Sequence, residues 1–156
     1  MKKKQFIIIL FFISTYCCAQ KDSSKQSNSI FIHHFKSDTA KYIQYIIANK
    51  ERYIGKNLIV LLRELELNIL SYTYSGNFSN KNYSNWITLW FYEGKKISYL
   101  RNLNQKPTNL IIIWKEPLSS KKDNQILKNS KGNWTQEAKD YYSWPIVKDI
   151  TTTNYR

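Results

Sequence analysis

The chain has 156 residues, 24 of them lysine or arginine against 11 aspartate or glutamate, for a formal net charge of +13. That length suits one domain with one core, and 42% hydrophobic residues exclude a wholly disordered chain. With 20 lysines, 15 asparagines, 20 isoleucines and 12 tyrosines, all read from AT-rich codons, part of the basic excess is compositional.

The first twenty residues read as a secretory signal. Lys2, Lys3 and Lys4 precede the apolar run Phe6 to Ile13, and small residues end at Cys17-Cys18-Ala19 before Gln20. The apolar core is far shorter than the roughly 20 residues needed to span a bilayer. Cleavage after Ala19 is the expectation, giving a signal peptide over 1–19, a flexible polar lead over 20–29 and a single α+β domain over 30–156. Removal of three lysines leaves 21 basic residues against 11 acidic ones, a net charge of +10, and takes away both cysteines. An exported domain without cysteine fits a bacterial periplasm or secreted state better than a disulfide-dense extracellular one. Export also removes nucleic acid from the expected partners and leaves no membrane span in the mature form. A lipid anchor at Cys17 or Cys18, tying the protein to an outer membrane, is disfavoured because neither cysteine follows an aliphatic residue at the required spacing.

Ile30-Phe31-Ile32 is a short apolar run fit for a first strand or a packed tether. After Ser37 and Asp38, Tyr42, Ile43, Ile46 and Ile47 share one side of a 3.6-residue period and predict a helix over 39–50. Gly55 interrupts it. Leu58, Leu61, Leu62 and Leu65 then recur at helical spacing and predict a second helix over 57–66. From residue 70 the period changes to 2: Leu70, Tyr72 and Tyr74 form one strand, and Ile87, Leu89 and Phe91 alternate with Trp86, Trp90 and Tyr92 in the next. The Gly94 turn predicts a hairpin from Trp86–Tyr92 into a strand over 97–103. Leu110 to Trp114, bounded by Pro107 and Pro117, predicts a further strand. Residues 118–132 read as a long loop, 135–142 as a short helix capped by Thr135, and Ile146, Val147 and Ile150 as an edge strand. The expected fold is thus α+β, with two N-terminal helices packed on one face of a four- to five-stranded antiparallel meander sheet.

Chemistry-bearing motifs are sparse. His33 and His34 point to opposite faces of an extended segment and have no ligand-spaced partner, so neither metal nor cofactor is expected. No glycine loop, nucleophile elbow or paired carboxylate arrangement is present, which turns the reading away from an enzyme. The expected surface is aromatic and basic. If the aliphatic side of the sheet lies under helices, Trp86, Trp90 and Tyr92 face outward beside Lys95, Lys96 and Arg101, in a stretch 95–131 that carries a net +7. Exposed aromatics beside cations suit a protein or an anionic envelope component. The leading expectation is a non-enzymatic macromolecule-binding module. The alternatives are a small enzyme or inhibitor acting on cell-wall glycan, and a periplasmic immunity protein against a toxin. The order helix, helix, meander over residues 38–115 is loosely similar to outer-membrane assembly lipoproteins and to the β-lactamase inhibitor fold; the likeness is one of element order and assigns no residue a role.

Overall fold

The structure, a computed structural model, describes residues 38–76 and 80–153. The signal peptide, the polar lead, the 30–32 run and His33-His34 lie outside them. Among the described residues, five helices accompany a sheet of four antiparallel strands in the order β1-β2-β3-β4. These are β1 (Ser71–Gly76), β2 (Tyr83–Trp90), β3 (Asn109–Ser119) and β4 (Val147–Thr151). The helices are α1 (Thr39–Ala48), α2 (Leu58–Glu64), α3 (Gly94–Asn102), α4 (Ser120–Ser130) and α5 (Gln136–Tyr142). The protein is α+β, with an antiparallel sheet.

The first two helices follow their apolar periods. α1 buries Tyr42, Ile43, Ile46 and Ile47, and α2 buries Leu58 and Leu61. Between them a 3-10 turn (Lys50–Arg52) leads into Gly55, whose φ of +76° is a left-handed conformation that glycine adopts without a Cβ penalty. The Tyr42 hydroxyl donates to the Glu64 carbonyl at 3.3 Å and accepts from the Glu66 N–H at 3.0 Å, pinning α1 to the end of α2. The start of α2 leaves backbone N–H groups without partners inside the helix. Leu58 and Ile59 give theirs to the carbonyls of Pro145 (3.1 Å) and Ser143 (2.9 Å). Gly55 and Lys56 exchange hydrogen bonds with Val147, which ties this corner to the beginning of β4.

Residues paired across antiparallel strands share a face. One face holds Tyr72, Leu89 and Leu110 in one row and Tyr74, Ile87, Ile112 and Ile150 in the next. Apart from half-buried Tyr74, its side chains are at most 1% exposed. α4 packs across β1, β2 and β3, with Ile126 fully buried. Tyr142 of α5 stacks on Trp114 at 6.2 Å between ring centroids and meets Tyr72 edge-on at 5.5 Å. This side is the core.

Two predicted elements are corrected. Residues 97–103 form helix α3 and its C-cap, not a hairpin strand, because the β2 edge they would need is occupied by β3, with Trp90 opposite Asn109. Glu93 enters the helix with an extended backbone, and its carbonyl accepts the Ile97 N–H at 3.0 Å. Residues 118–132 are not a loop: they complete β3 and form α4. The buried stripe of α4 is Asp123, Ile126 and Ser130, which is helical in spacing and mostly polar in chemistry, so hydrophobic periodicity does not reveal it. The helix stops where Lys131 and Gly132 both take positive φ, and the Gly132 carbonyl accepts the Tyr72 N–H at 2.9 Å.

Candidate functional site: an open sheet face beside a basic helix

The second face of the sheet carries the rows Ser75–Trp86–Ile113–Asp149, Thr73–Thr88–Ile111–Thr151 and Ser71–Trp90–Asn109. Its exposure differs sharply from that of the core face. Trp86, Ile111 and Ile113 are half-buried and Thr73 is exposed, whereas toward the β2 C-terminus Trp90 falls to 5% and Asn109 to 0%. The face is therefore partly open at Trp86, Ile111 and Ile113, buried at Thr88 (8%) in the middle row, and closed over the third row. Asn109 fastens the closed end, donating to Thr153 Oγ1 at 2.7 Å and accepting from the Thr152 hydroxyl and the Thr153 N–H, each at 3.2 Å.

At that closed end Trp90 meets α3. Its indole N–H donates to Thr73 Oγ1 at 3.3 Å, and the Arg101 guanidinium carbon lies 5.1 Å from the ring centroid, a cation–π contact. The expectation that Trp90 stands outward is thus corrected: Arg101 lies over the ring that the strand's alternation turned toward solvent, and the aromatic is buried. Trp86 shares the face with Trp90 and stays half-buried in the open part. Tyr92, just past β2, is half-buried, and its carbonyl accepts the Ser71 hydroxyl at 2.8 Å. Lys95 and Lys96 lie on the exposed side of α3. Of the six residues expected to form the surface, the fold joins Trp90 to Arg101 and places Trp86 on the same face.

Sequence reasoning passed over Tyr99 and Leu103, which are 56% and 51% exposed on α3 and its C-cap. The Lys96 ammonium lies 5.3 Å from the Tyr99 ring centroid. Once α3 is a helix, the four-residue spacing of Tyr99 and Leu103 puts them on one side; a strand assignment hides that signal. Ile111 and Ile113 were overlooked because an apolar run between prolines reads as buried on both faces. Trp144, 68% exposed at the other end of the sheet, also carries no periodic signal.

A second cluster lies inside the core. Asp123 of α4 is fully buried and accepts hydrogen bonds from the Ser84 hydroxyl of β2 and from the Tyr142 hydroxyl of α5, the latter at 2.9 Å. Burial raises the Asp123 carboxyl above the usual carboxylate range, and the hydroxyl bonds from Ser84 and Tyr142 oppose that rise. Tyr141 and Tyr142 are pushed well above the usual phenol range by burial and then by the Asp123 charge. A carboxylate with no surface exposure cannot meet a substrate, so the cluster's chemistry is to hold β2, α4 and α5 together. Among the described residues no three His, Cys, Asp or Glu side chains converge on a metal position.

No protein-family model matches the chain, and no curated protein or solved structure matches it.

Proposed function

We propose that the protein is an exported, non-enzymatic module that binds another macromolecule in the bacterial envelope or outside it, using the open sheet face and the basic helix beside it. Support for export is the order of basic, apolar and small residues over 1–19. In this reading the two N-terminal helices lie with α4 against the sealed face of the sheet, and the other face is kept for the partner. The observation that carries the reading is the asymmetry of the sheet: Ile87, Leu89, Leu110, Ile112 and Ile150 are fully buried, while Trp86, Ile111 and Ile113 on the reverse side retain solvent exposure. A half-exposed tryptophan flanked by branched aliphatics on a rigid sheet has the make-up of an interface anchor. No described helix is long and apolar enough to cross a membrane.

The test compares wild type with Trp86→Ala and Ile113→Asp in affinity capture from a native envelope extract, with the N-terminus of the captured protein read by mass spectrometry. Both variants should lose the partner that wild type retains, with thermal midpoints close to wild type. Unchanged capture by both would remove the sheet face from the function, and an N-terminus at Met1 would remove export.

A further inference from the structure

Helix α3 contributes little to the core. Ile97 is its buried residue, whereas α1, one residue longer, buries four. What it presents instead is an apolar pair, Tyr99 and Leu103, each more than half exposed, within a field of exposed cations: Lys95, Lys96, Arg101 and Lys106. Glu93 is the single acid between residues 93 and 106, so this segment carries a net +3. The pair is held in place. Beyond the helix the Asn104 N–H bonds the Arg101 carbonyl and the Gln105 N–H bonds the Leu100 carbonyl, both at 2.9 Å, with Asn104 at φ +55°. This Schellman closure fixes Leu103 one turn after Tyr99. Arg101, with its guanidinium over Trp90, links the helix to the sheet.

We propose that α3 lies in the plane of an anionic lipid surface, with Tyr99 and Leu103 entering the headgroup layer and Lys95 and Lys96 meeting lipid phosphates. A basic helix with a short apolar ridge has the composition of an interfacial segment. Tyrosine suits the headgroup level because its ring is apolar and its hydroxyl stays wet. The Lys96–Tyr99 contact keeps a cation beside the entering ring, and the charge of the segment complements a surface of anionic headgroups. The ridge is a convex line of two side chains rather than a groove, which favours a deformable lipid layer over a folded protein partner. This proposal deepens the binding-module reading for the α3 part of the surface and rests on it for exposure of the protein to an envelope membrane. The sheet face and α3 are separable, since Trp86 and Tyr99 can be changed independently.

The experiment uses the full chain carrying Tyr99→Trp, mixed with vesicles of phosphatidylcholine alone or with about one third phosphatidylglycerol, whose acyl chains are brominated. The chain's five tryptophans all lie beyond residue 85, so attachment through residues 1–19 alone does not bring an indole to the quencher. The expected result is that the added indole is quenched and blue-shifted relative to wild type on anionic vesicles only. Lys95→Glu/Lys96→Glu in the same background should weaken the response about tenfold, and Leu103→Ser should weaken it several-fold with an unchanged thermal midpoint. Soluble glycerophosphate at millimolar concentration should not compete. The proposal is overturned if the added indole is unquenched, if quenching is equal on neutral vesicles, if the double charge reversal leaves it intact, or if glycerophosphate abolishes it. Should the vesicle assay fail while Trp86→Ala still loses its captured partner, the lipid proposal falls and the binding-module reading stands; capture unaffected by Trp86→Ala or Ile113→Asp sinks that reading instead.

Discussion

Helices α3 and α4 are close in composition and opposite in use. Each opens with a lysine pair, Lys95-Lys96 and Lys121-Lys122, and each is too polar to read as a core helix. Yet α4 crosses three strands and sinks Asp123, Ile126 and Ser130 into the interior, while α3 buries Ile97 and leaves Tyr99 and Leu103 in solvent. In α4 the lysines are the wet side of a structural element. In α3 they surround exposed apolar groups whose exposure serves no packing purpose. Lysine content is the same kind of signal in both, and the exposed apolar surface beside the charge is what separates the two helices.

That contrast breaks most visibly if α4 is loosened. Asp123→Ala leaves the hydroxyls of Ser84 and Tyr142 buried without their acceptor, a loss of about 4 kcal/mol in denaturant unfolding. Ile126→Ala, by opening a cavity where the side chain has no exposure, should cost about 3 kcal/mol. If instead both changes fall within about 0.5 kcal/mol of wild type, α4 is not the cover of the sheet, and the distinction between the helices disappears. Trp90→Ala, at the junction of α3 with the sheet, should cost about 3 kcal/mol as a buried aromatic.

Much of the fold around these two helices is legible in the sequence, and the reason for the rest is specific. The stripe of Tyr42, Ile43, Ile46 and Ile47 and the alternation of Ile87 and Leu89 both put apolar residues where the period demands them, so α1, α2, β1 and β2 follow from pattern. The antiparallel meander order follows as well, with the expected third strand replaced by α3 and the run read as a fourth strand, 110–114, standing third over 109–119. α3 was masked because Gly94 between two hydrophobic runs is also a hairpin signal, and only the long-range pairing of β2 with β3 excludes that outcome. α4 was masked because its inward positions are an acid and a serine, whose burial becomes affordable only when Tyr142 and Ser84 arrive from distant sequence. On the sheet's second face the alternation picks out Trp86 and Trp90 and passes over Ile111 and Ile113: Trp86 is half-buried, and Trp90 is covered, with Arg101 over its ring, a contact that depends on α3 being a helix.

Two aspartates, Asp123 on α4 and Asp149 on β4, respond to pH in opposite senses. Asp123, raised above its ordinary value of 3.8, holds a proton more tightly in the folded protein than in the unfolded chain. Its contribution is fully present below 3.8 and is lost as pH rises through the folded value. Asp123→Asn should remove that decline from a plot of stability against pH. The effect is smaller than truncation, because the amide keeps an acceptor in place. A wild-type curve unchanged by this variant would mean that Asp123 is not buried in solution.

Asp149, on the open face, should behave in the reverse sense and more weakly. Burial pushes its carboxyl up, but the Lys50 hydrogen bond at 2.6 Å, the Ile150 N–H and the charges of Lys50 and Lys148 together bring it below 3.8. Its stabilisation is present above that ordinary value and is lost as pH falls through the lower, folded one. The two aspartates therefore titrate on opposite sides of 3.8. The side chains of the Lys50–Asp149 pair are 33% and 39% exposed, so water screens the attraction, and Lys50→Ala should cost only about 0.5 kcal/mol. Added salt should reduce that difference further while leaving the cost of Asp123→Ala nearly intact, since mobile ions screen a surface pair and do not reach a sealed network. If salt erases both differences equally, the buried network is as accessible as the surface pair, and the separation of a sealed side from an open one fails.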